Sequence, residues 1–330
     1  MTSNPPSRPS VLVLGARGRF GRAAVTTFRD ANWQVRAFVR PNKSTSFGPG
    51  IEIVEGDAFD LNAVRNAARE VDVIVHALNP PYPRWQQDLP RLTESVLNAA
   101  RAAGASVMIP GNVYNYGSGM PENLREETSH LPTTRKGVLR EAMEQAFRQA
   151  AGDGVHTVVL RAGDFIESAR TGNWFDTYVT AKLDRGIAVY PGPLHQVHAW
   201  AYLPDMARAM VALAEREGDP TGFESFNFGG YNVTGAELVA AMEAKTGRPL
   251  KVRSVPWLAM RLIAPFVPLI REVLEMRYLW NVPHAIDGSR LQETLPNFRP
   301  TPLPEALDDV LPSLAASRAP NGTTGLVSAS

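Results

Sequence analysis

The sequence predicts an α/β protein with a doubly wound parallel sheet and a smaller lobe from its C-terminal half. Three observations carry this expectation. Short apolar runs alternate with stretches of helical spacing along most of the chain. A glycine-punctuated turn, Gly15-Ala16-Arg17-Gly18-Arg19-Phe20-Gly21, directly follows the first apolar run. The composition, 44% hydrophobic and 20% charged over 330 residues, supports a full globular core.

The elements follow in order. Ser10–Leu14 is a short apolar run after its opening serine and is stopped by glycine, the pattern of a strand buried on both faces. Helical spacing covers 20–31, and strand patterns follow at 35–39 and 51–54. A helix is expected over 61–68, a fourth strand over 71–76, and a long helix over 89–103, ended by Gly104. A fifth strand is expected at 106–109, a helix at 139–151, a strand at 156–161 and a helix at 204–217. The alternation then loosens into a helix at 234–246, a strand at 250–255 and proline-punctuated helix. Strand–helix alternation of this length implies βαβ units. Residues 10–165 form the expected sheet domain, with later segments returning to it, and 166–317 form mainly a substrate lobe over the carboxyl ends of the strands. A disordered lead (1–9) and tail (318–330) are expected from their polar, small-residue composition.

The chain has no cysteine, which excludes disulfides, thiolate metal sites and cysteine nucleophiles. The net charge of +1 gives no global attraction to nucleic acid or membrane. The most apolar late stretch, 257–270, is interrupted by Arg261, Pro265 and Pro268 and is too short to span a bilayer. It is expected as a buried or half-buried cap helix, with a lid over an apolar substrate as the alternative. With no signal-like run at the start, a cytoplasmic location is expected.

The glycine turn is the strongest chemical signal. Glycine there permits a tight turn and close approach of a diphosphate, and the helix N-terminus behind it offers unpaired N–H groups to an anion. At the end of the second strand an NAD site needs a carboxylate for the ribose hydroxyls. Here Val39 is followed by Arg40, and Arg17 and Arg19 lie in the turn itself. A guanidinium suits a 2′-phosphate, so NADP(H) is expected over NAD(H).

The spacing Gly-x-x-Gly-x-x-Gly resembles the extended short-chain dehydrogenase/reductase superfamily, which includes nucleotide-sugar epimerases and dehydratases. Gly56-Asp57 is similar to that family's adenine-contacting aspartate, and Val73-Ile-Val-His-Ala-Leu78 to its fourth-strand segment. Leu160-Arg-Ala-Gly-Asp164 resembles a segment that normally reads Leu-Arg-Pro-x-Asn. Trp200-Ala-Tyr-Leu-Pro-Asp205 and the stretch from Asp287 to Pro302 resemble further family elements. The resemblance implies a Rossmann sheet and a cofactor site at Gly15, Arg17, Gly18, Arg19, Phe20, Gly21, Arg40, Asp57, Ala58, Ala77, Leu78, Asn79, Lys136 and Gly163.

The family's usual Ser, Tyr and Lys are where the match breaks. Counting back from Gly117 in Ile109-Pro-Gly-Asn112-Val-Tyr114-Asn-Tyr116-Gly117 puts Asn112 in the serine slot. Anchoring on Glu144 puts Arg140 in the lysine slot and Lys136 in the tyrosine slot; a competing register puts Lys136 in the lysine slot and Pro132 in the tyrosine slot. Residues four apart share a helix face, so Lys136 and Arg140 are expected at one site. A partly desolvated Lys136 beside Arg140 and a nicotinamide is the expected acid–base group, with Asn112 orienting the substrate oxygen. Tyr114 is an alternative proton donor.

Tyr82 and Trp85 follow the fourth strand, and with Tyr116, Trp174, Tyr178, His198 and Trp200 they are the candidate substrate lining. An aromatic wall implies a small, fairly apolar substrate. His195 and His198 have no carboxylate at ligand spacing, so no metal is expected. The expected activity is NADP(H)-dependent oxidation or reduction of a carbonyl or conjugated compound. The alternatives are a nucleotide-sugar epimerase or dehydratase and a non-catalytic NADP-binding regulator. The expected partner is a small molecule, with a homodimer left open.

Overall fold

The computed structural model describes residues 8–41, 46–216 and 222–316. The expected tail, the expected lead up to residue 7 and the last residue of the helix expected to end at 217 lie outside them.

The first half builds strands β1 (Ser10–Leu14), β2 (Gln34–Val39), β3 (Ile51–Glu55), β4 (Val73–His76) and β5 (Ser106–Gly111). Helices α1 (Arg19–Asp30), α2 (Leu61–Ala67), α3 (Trp85–Ala103) and α4 (Arg135–Ala150) connect and flank them. A short β6 (Asn123–Leu124) intervenes before β7 (Thr157–Arg161). Then come β8 (Asp164–Ile166), β9 (Ile187–Tyr190), β10 (Val197–Tyr202), α5 (Leu203–Ala214), β11 (Phe223–Asn227) and β12 (Tyr231–Thr234). The chain continues through α6 (Gly235–Thr246), β13 (Lys251–Ser254), α7 (Trp257–Ile263), α8 (Pro268–Glu275), β14 (Ala285–Ile286), α9 (Ser289–Thr294) and α10 (Leu303–Ala316).

Seven strands form one parallel sheet in the order β11-β7-β5-β4-β1-β2-β3. The order reverses at β1, so the crevice beside its carboxyl end is the topological switch point where such sheets take ligands. The sheet is Rossmann-like, and β11, from the second half of the chain, forms one of its edges. Alternate residues of each central strand feed opposite faces. Val11 and Val13 pack under α1 and α5 with Phe28 and Met210. Leu12 and Leu14 pack with Val96, Phe147 and Val64 on the other face. A separate core around Phe175, Trp200, Leu238 and Leu307 fills the lobe, with the sheet β12-β10-β8 and the pair β13-β9.

Local chemistry sets several boundaries. Asp60 caps α2 through the amides of Asn62 and Ala63, and Thr134 caps α4 through Gly137. Thr234 and Glu237 form a capping box on α6. Helix α3 ends at Gly104, whose φ of 67° is left-handed. The helix starts at Trp85, earlier than the spacing suggests, and carries Pro90 inside it.

The stretch after Trp257 departs from expectation. It is not a buried cap helix. It folds as the α7–α8 hairpin, with Leu258, Leu262 and Phe266 exposed on its surface. No helix among the described residues is long and apolar enough to cross a membrane.

Candidate functional site

The glycine turn has the geometry that its spacing implies. Gly15 has a φ of +80°, and a Cβ there would lie 2.6 Å from the carbonyl oxygen of Ala77. The turn thus presses directly against the Ala77-Leu78 backbone at the end of β4. Gly18 is the N-cap of α1, and its amide donates back to the Gly15 carbonyl at 2.8 Å. No side chain caps α1, and its first turn carries no acid. Its leading N–H groups, from Arg19 and Phe20 onward, are therefore a donor set suited to a diphosphate. The residues present fit a dinucleotide.

Around this turn the expected cofactor residues converge unevenly. Gly15, Gly18, Gly21, Ala77 and Leu78 share one backbone cradle, with Phe20 and Ala58 buried nearby in the cores of the two sheet faces. Asp57 is exposed beyond β3, and its carboxylate accepts from the Phe59 amide at 3.0 Å. Asn79 is exposed. Arg40 is exposed just past β2, and among the described residues no side-chain partner holds it. Arg17 is half-buried in the turn. Gly163 sits against β10, where a Cβ would lie 2.0 Å from the Ala199 carbonyl oxygen.

Arg19 does not stand free as the second phosphate cation the sequence suggested. Its guanidinium reaches Glu167 at 2.8 Å and the Thr171 hydroxyl at 2.6 Å. Thr171 in turn donates to Glu167 at 2.6 Å. This clasp ties the glycine turn to the segment after β8. Burial holds the Glu167 carboxyl above its usual value despite the arginine.

At the carboxyl ends of β4 and β5 lies a second group of expected residues. The hydroxyls of Tyr82 and Tyr114 are 3.1 Å apart. Burial raises the pKa of both, that of Tyr114 well above the ordinary tyrosine value. Arg19, Arg140 and Asp164 act electrostatically on Tyr82. Asn112, in the serine slot, is half-buried, and its side-chain oxygen accepts from the Tyr114 amide at 3.0 Å.

Lys136 and Arg140 do flank one aromatic pair, as their spacing requires. The Lys136 ammonium lies 5.0 Å from the centre of the Tyr82 ring, and Arg140 lies 6.0 Å from that of Trp85. The two rings meet edge-on at 5.1 Å. The cationic heads diverge, however. Arg140 donates to the Pro110 carbonyl at 2.7 Å, and burial lowers its pKa. Lys136 is buried and donates to Glu272 and, at 2.6 Å, to Glu275, both on α8. Its immediate charge partners are thus carboxylates rather than Arg140. Burial disfavours the Glu275 carboxylate, but hydrogen bonds from Lys136 outweigh it and hold that pKa below the usual value.

Other positions prove structural. Glu144 does not pair with Arg140. It forms a fully buried ion pair with Arg161 at 2.7 Å, and Arg161 also donates to the Asn112 carbonyl. Burial opposes ionisation of Glu144, but Arg161 wins and lowers its pKa. Tyr116 is 1% exposed, with Arg161 over its ring, and belongs to the core rather than to a substrate wall. Trp200, also 1% exposed, is a core residue of the lobe. Trp85 is buried, and its indole N–H donates to the Pro80 carbonyl at 2.7 Å. His198 is buried, stacked on Trp280 with ring centres 4.0 Å apart. Trp174 and Tyr178 are half-buried and stacked at 4.8 Å, so they remain available as lining.

Sequence reasoning missed two features of the site. One is the carboxylate pair Glu272–Glu275, three residues apart on α8, whose signal is that they are the first acids after the acid-free stretch 247–271. The other is Asp164, in a slot that normally holds Asn, which meets His198 at 2.8 Å. A further cluster, His130, Glu141 and Glu144, brings ligand atoms together, but Arg161 already occupies Glu144.

Comparison with known proteins agrees with this geometry. Similar solved structures include a candidate epimerase from Burkholderia cenocepacia, at 21% identity and a TM-score of 0.75, covering 95% of this chain and 100% of its own. A nucleoside-diphosphate-sugar epimerase from Pseudomonas aeruginosa matches at 17% identity and 0.72, covering 94% and 99%. The UDP-glucuronic acid 4-epimerase of Bacillus cereus, solved with UDP-glucuronic acid and NAD, matches at 15% and 0.73, covering 93% and 99%. At these identities the likeness establishes the fold. No curated protein sequence matches the chain significantly. The sequence model of the NAD(P)H-binding family matches residues 15–184, just over half of the length. This chain belongs to the NAD(P)H-binding family.

Proposed function

We propose that the protein is an NADP(H)-dependent oxidoreductase acting on a small, fairly apolar carbonyl or conjugated compound. The observation that carries this reading is the Tyr82–Tyr114 hydroxyl pair, set beyond the carboxyl ends of β4 and β5. When bound, the nicotinamide supplies or accepts a hydride. The protein's own residues supply the rest. The α1 amides and the glycine cradle hold the diphosphate, and exposed Arg40 meets the 2′-phosphate. Because burial keeps Tyr114 protonated, its hydroxyl donates to a substrate oxygen and steadies the charge that develops there. Tyr82 orients that hydroxyl, and Lys136, under the Tyr82 ring, fixes the ring through its carboxylate partners. The role expected of Lys136 as the proton donor thus passes to Tyr114, with Lys136 as a positioning residue. Trp174 and Tyr178 offer the apolar wall.

A nucleotide-sugar epimerase or dehydratase is the second reading, and the likeness to epimerases along both the sheet and the lobe favours it. The two part on cofactor and substrate. Fluorescence titration with NADPH and NADH, followed by NADPH oxidation against a panel of aromatic and aliphatic carbonyls, tests the first. Preference for NADH, with turnover of a nucleotide-sugar alone, would replace it with the second.

A further inference from the structure

The outer face of the α7–α8 hairpin combines two properties. Leu258 and Leu262, four residues apart on one face of α7, are 78% and 77% exposed, and Phe266 in the connecting turn is 85% exposed. A contiguous apolar surface of this kind on a folded chain marks an interaction site. Along this segment of the chain the charge is of one sign. From Gly247 to Arg271 the chain carries Arg248, Lys251, Arg253, Arg261 and Arg271 and no acid. All five cations are exposed. The acids that end the hairpin, Glu272 and Glu275, are engaged by Lys136 and Arg135.

We propose that the α7–α8 hairpin docks the protein on the surface of an anionic lipid bilayer. Exposed leucine and phenylalanine enter the boundary between headgroups and acyl chains, and the flanking cations meet lipid phosphates and other anionic headgroups. The charge pattern selects this occupant over a second copy. A symmetric pairing through this face would set one cationic, acid-free segment against another, a repulsion that a bilayer replaces with attraction. The absence of a spanning helix among the described residues makes the attachment peripheral. The attraction is local, since the whole chain carries a net charge of only +1. Helix α8 then has two employments: its outer side adjoins the docking surface, while its inner side grips Lys136 at the candidate site.

The test is co-sedimentation of the full chain with vesicles of phosphatidylcholine alone and of phosphatidylcholine mixed with phosphatidylglycerol. The expected result is partition onto the mixed vesicles only, weakened by salt. Arg261→Glu and Arg271→Glu are each expected to lower the partition about fivefold or more. The double variant Leu258→Ser, Phe266→Ser is expected to abolish it, with an unchanged thermal midpoint because both side chains are exposed. Failure to partition onto the mixed vesicles overturns the proposal, and so does partition that none of these variants alters. A dimer in sedimentation equilibrium that Phe266→Ser dissolves, without vesicle binding, overturns it in favour of a second copy.

Discussion

Lys136 and Glu275 join the two halves of the molecule: the ammonium on α4 donates to the carboxylate on α8 at 2.6 Å, and the Lys136 amide donates to the same side chain. Glu272 completes the clamp, and the Lys136 side chain is only 2% exposed. Removing the cation leaves two carboxylates facing each other in a partly dry site. Lys136→Ala is therefore expected to cost about 3 kcal/mol, measured by denaturant unfolding. Adding Glu272→Gln and Glu275→Gln to that variant is expected to recover part of the loss, because the stranded charges go too. NADPH affinity is expected to persist. A Lys136→Ala protein as stable as the parent would refute the clamp.

Tyr114→Phe removes one hydroxyl and little else. If Tyr114 donates to the substrate oxygen, turnover should fall by roughly a hundredfold or more while NADPH binding holds. The pKa of Tyr114 is raised well above 10.0, so the wild-type rate should show no tyrosine titration across the neutral range. A loss confined to KM, with kcat intact, would reduce Tyr114 to a packing residue.

Most of the fold was legible in the sequence, and the reason is the sheet. Buried parallel strands such as Ser10–Leu14 are apolar at every position after the first and need no partner to be recognised. The glycine turn was legible for a similar reason, since the backbone conformation at Gly15 and its contact with Ala77 leave no room for any other residue. The candidate catalytic group was only half legible. Helix periodicity put Lys136 and Arg140 on one face correctly, but what each head touches depends on chain segments far away in sequence. Glu275 lies 139 residues from Lys136, and Tyr82 lies 32 from Tyr114. Aromatic residues misled for a related reason: Trp200 and Tyr116 look like pocket lining in sequence, yet they are buried core. The exposed hairpin ran against expectation because apolar content was taken as burial.

Arg40 is the residue on which cofactor choice turns. It is exposed at the end of β2, where a ribose-binding carboxylate is absent. Arg40→Glu should weaken NADPH at least about tenfold, the worth of one charge-assisted contact, and should leave NADH unchanged or improved. Isothermal titration with both nucleotides measures the two affinities directly. Equal loss for both would place Arg40 away from the 2′-phosphate.

Histidines lowered by burial should govern stability in mild acid, His76 and His284 most strongly. His76, at the end of β4, and His284 are both buried. Desolvation, helped by Arg140 at His76 and by His198 at His284, lowers each pKa to about 3. In the unfolded chain each titrates near the ordinary value of 6.5. Between those two values the unfolded state binds protons that the folded state refuses, so stability is full above about pH 6.5 and falls as pH drops toward about 3. Each histidine contributes about 1.4 kcal/mol per pH unit across that window. Among the carboxylates, Glu144 is lowered in the fold and its contribution begins to fade only near 4.5, whereas Glu167, raised by burial, binds a proton more readily in the folded state and opposes the histidine slope. Among the described residues His76 has no hydrogen-bond partner on either ring nitrogen, so His76→Leu should be tolerated at neutral pH. Denaturant unfolding at several pH values between about 4 and 6 should show a slope for that variant shallower than the parent's by about one histidine's worth, 1.4 kcal/mol per unit. An unchanged slope would mean that His76 takes up a proton in the folded protein.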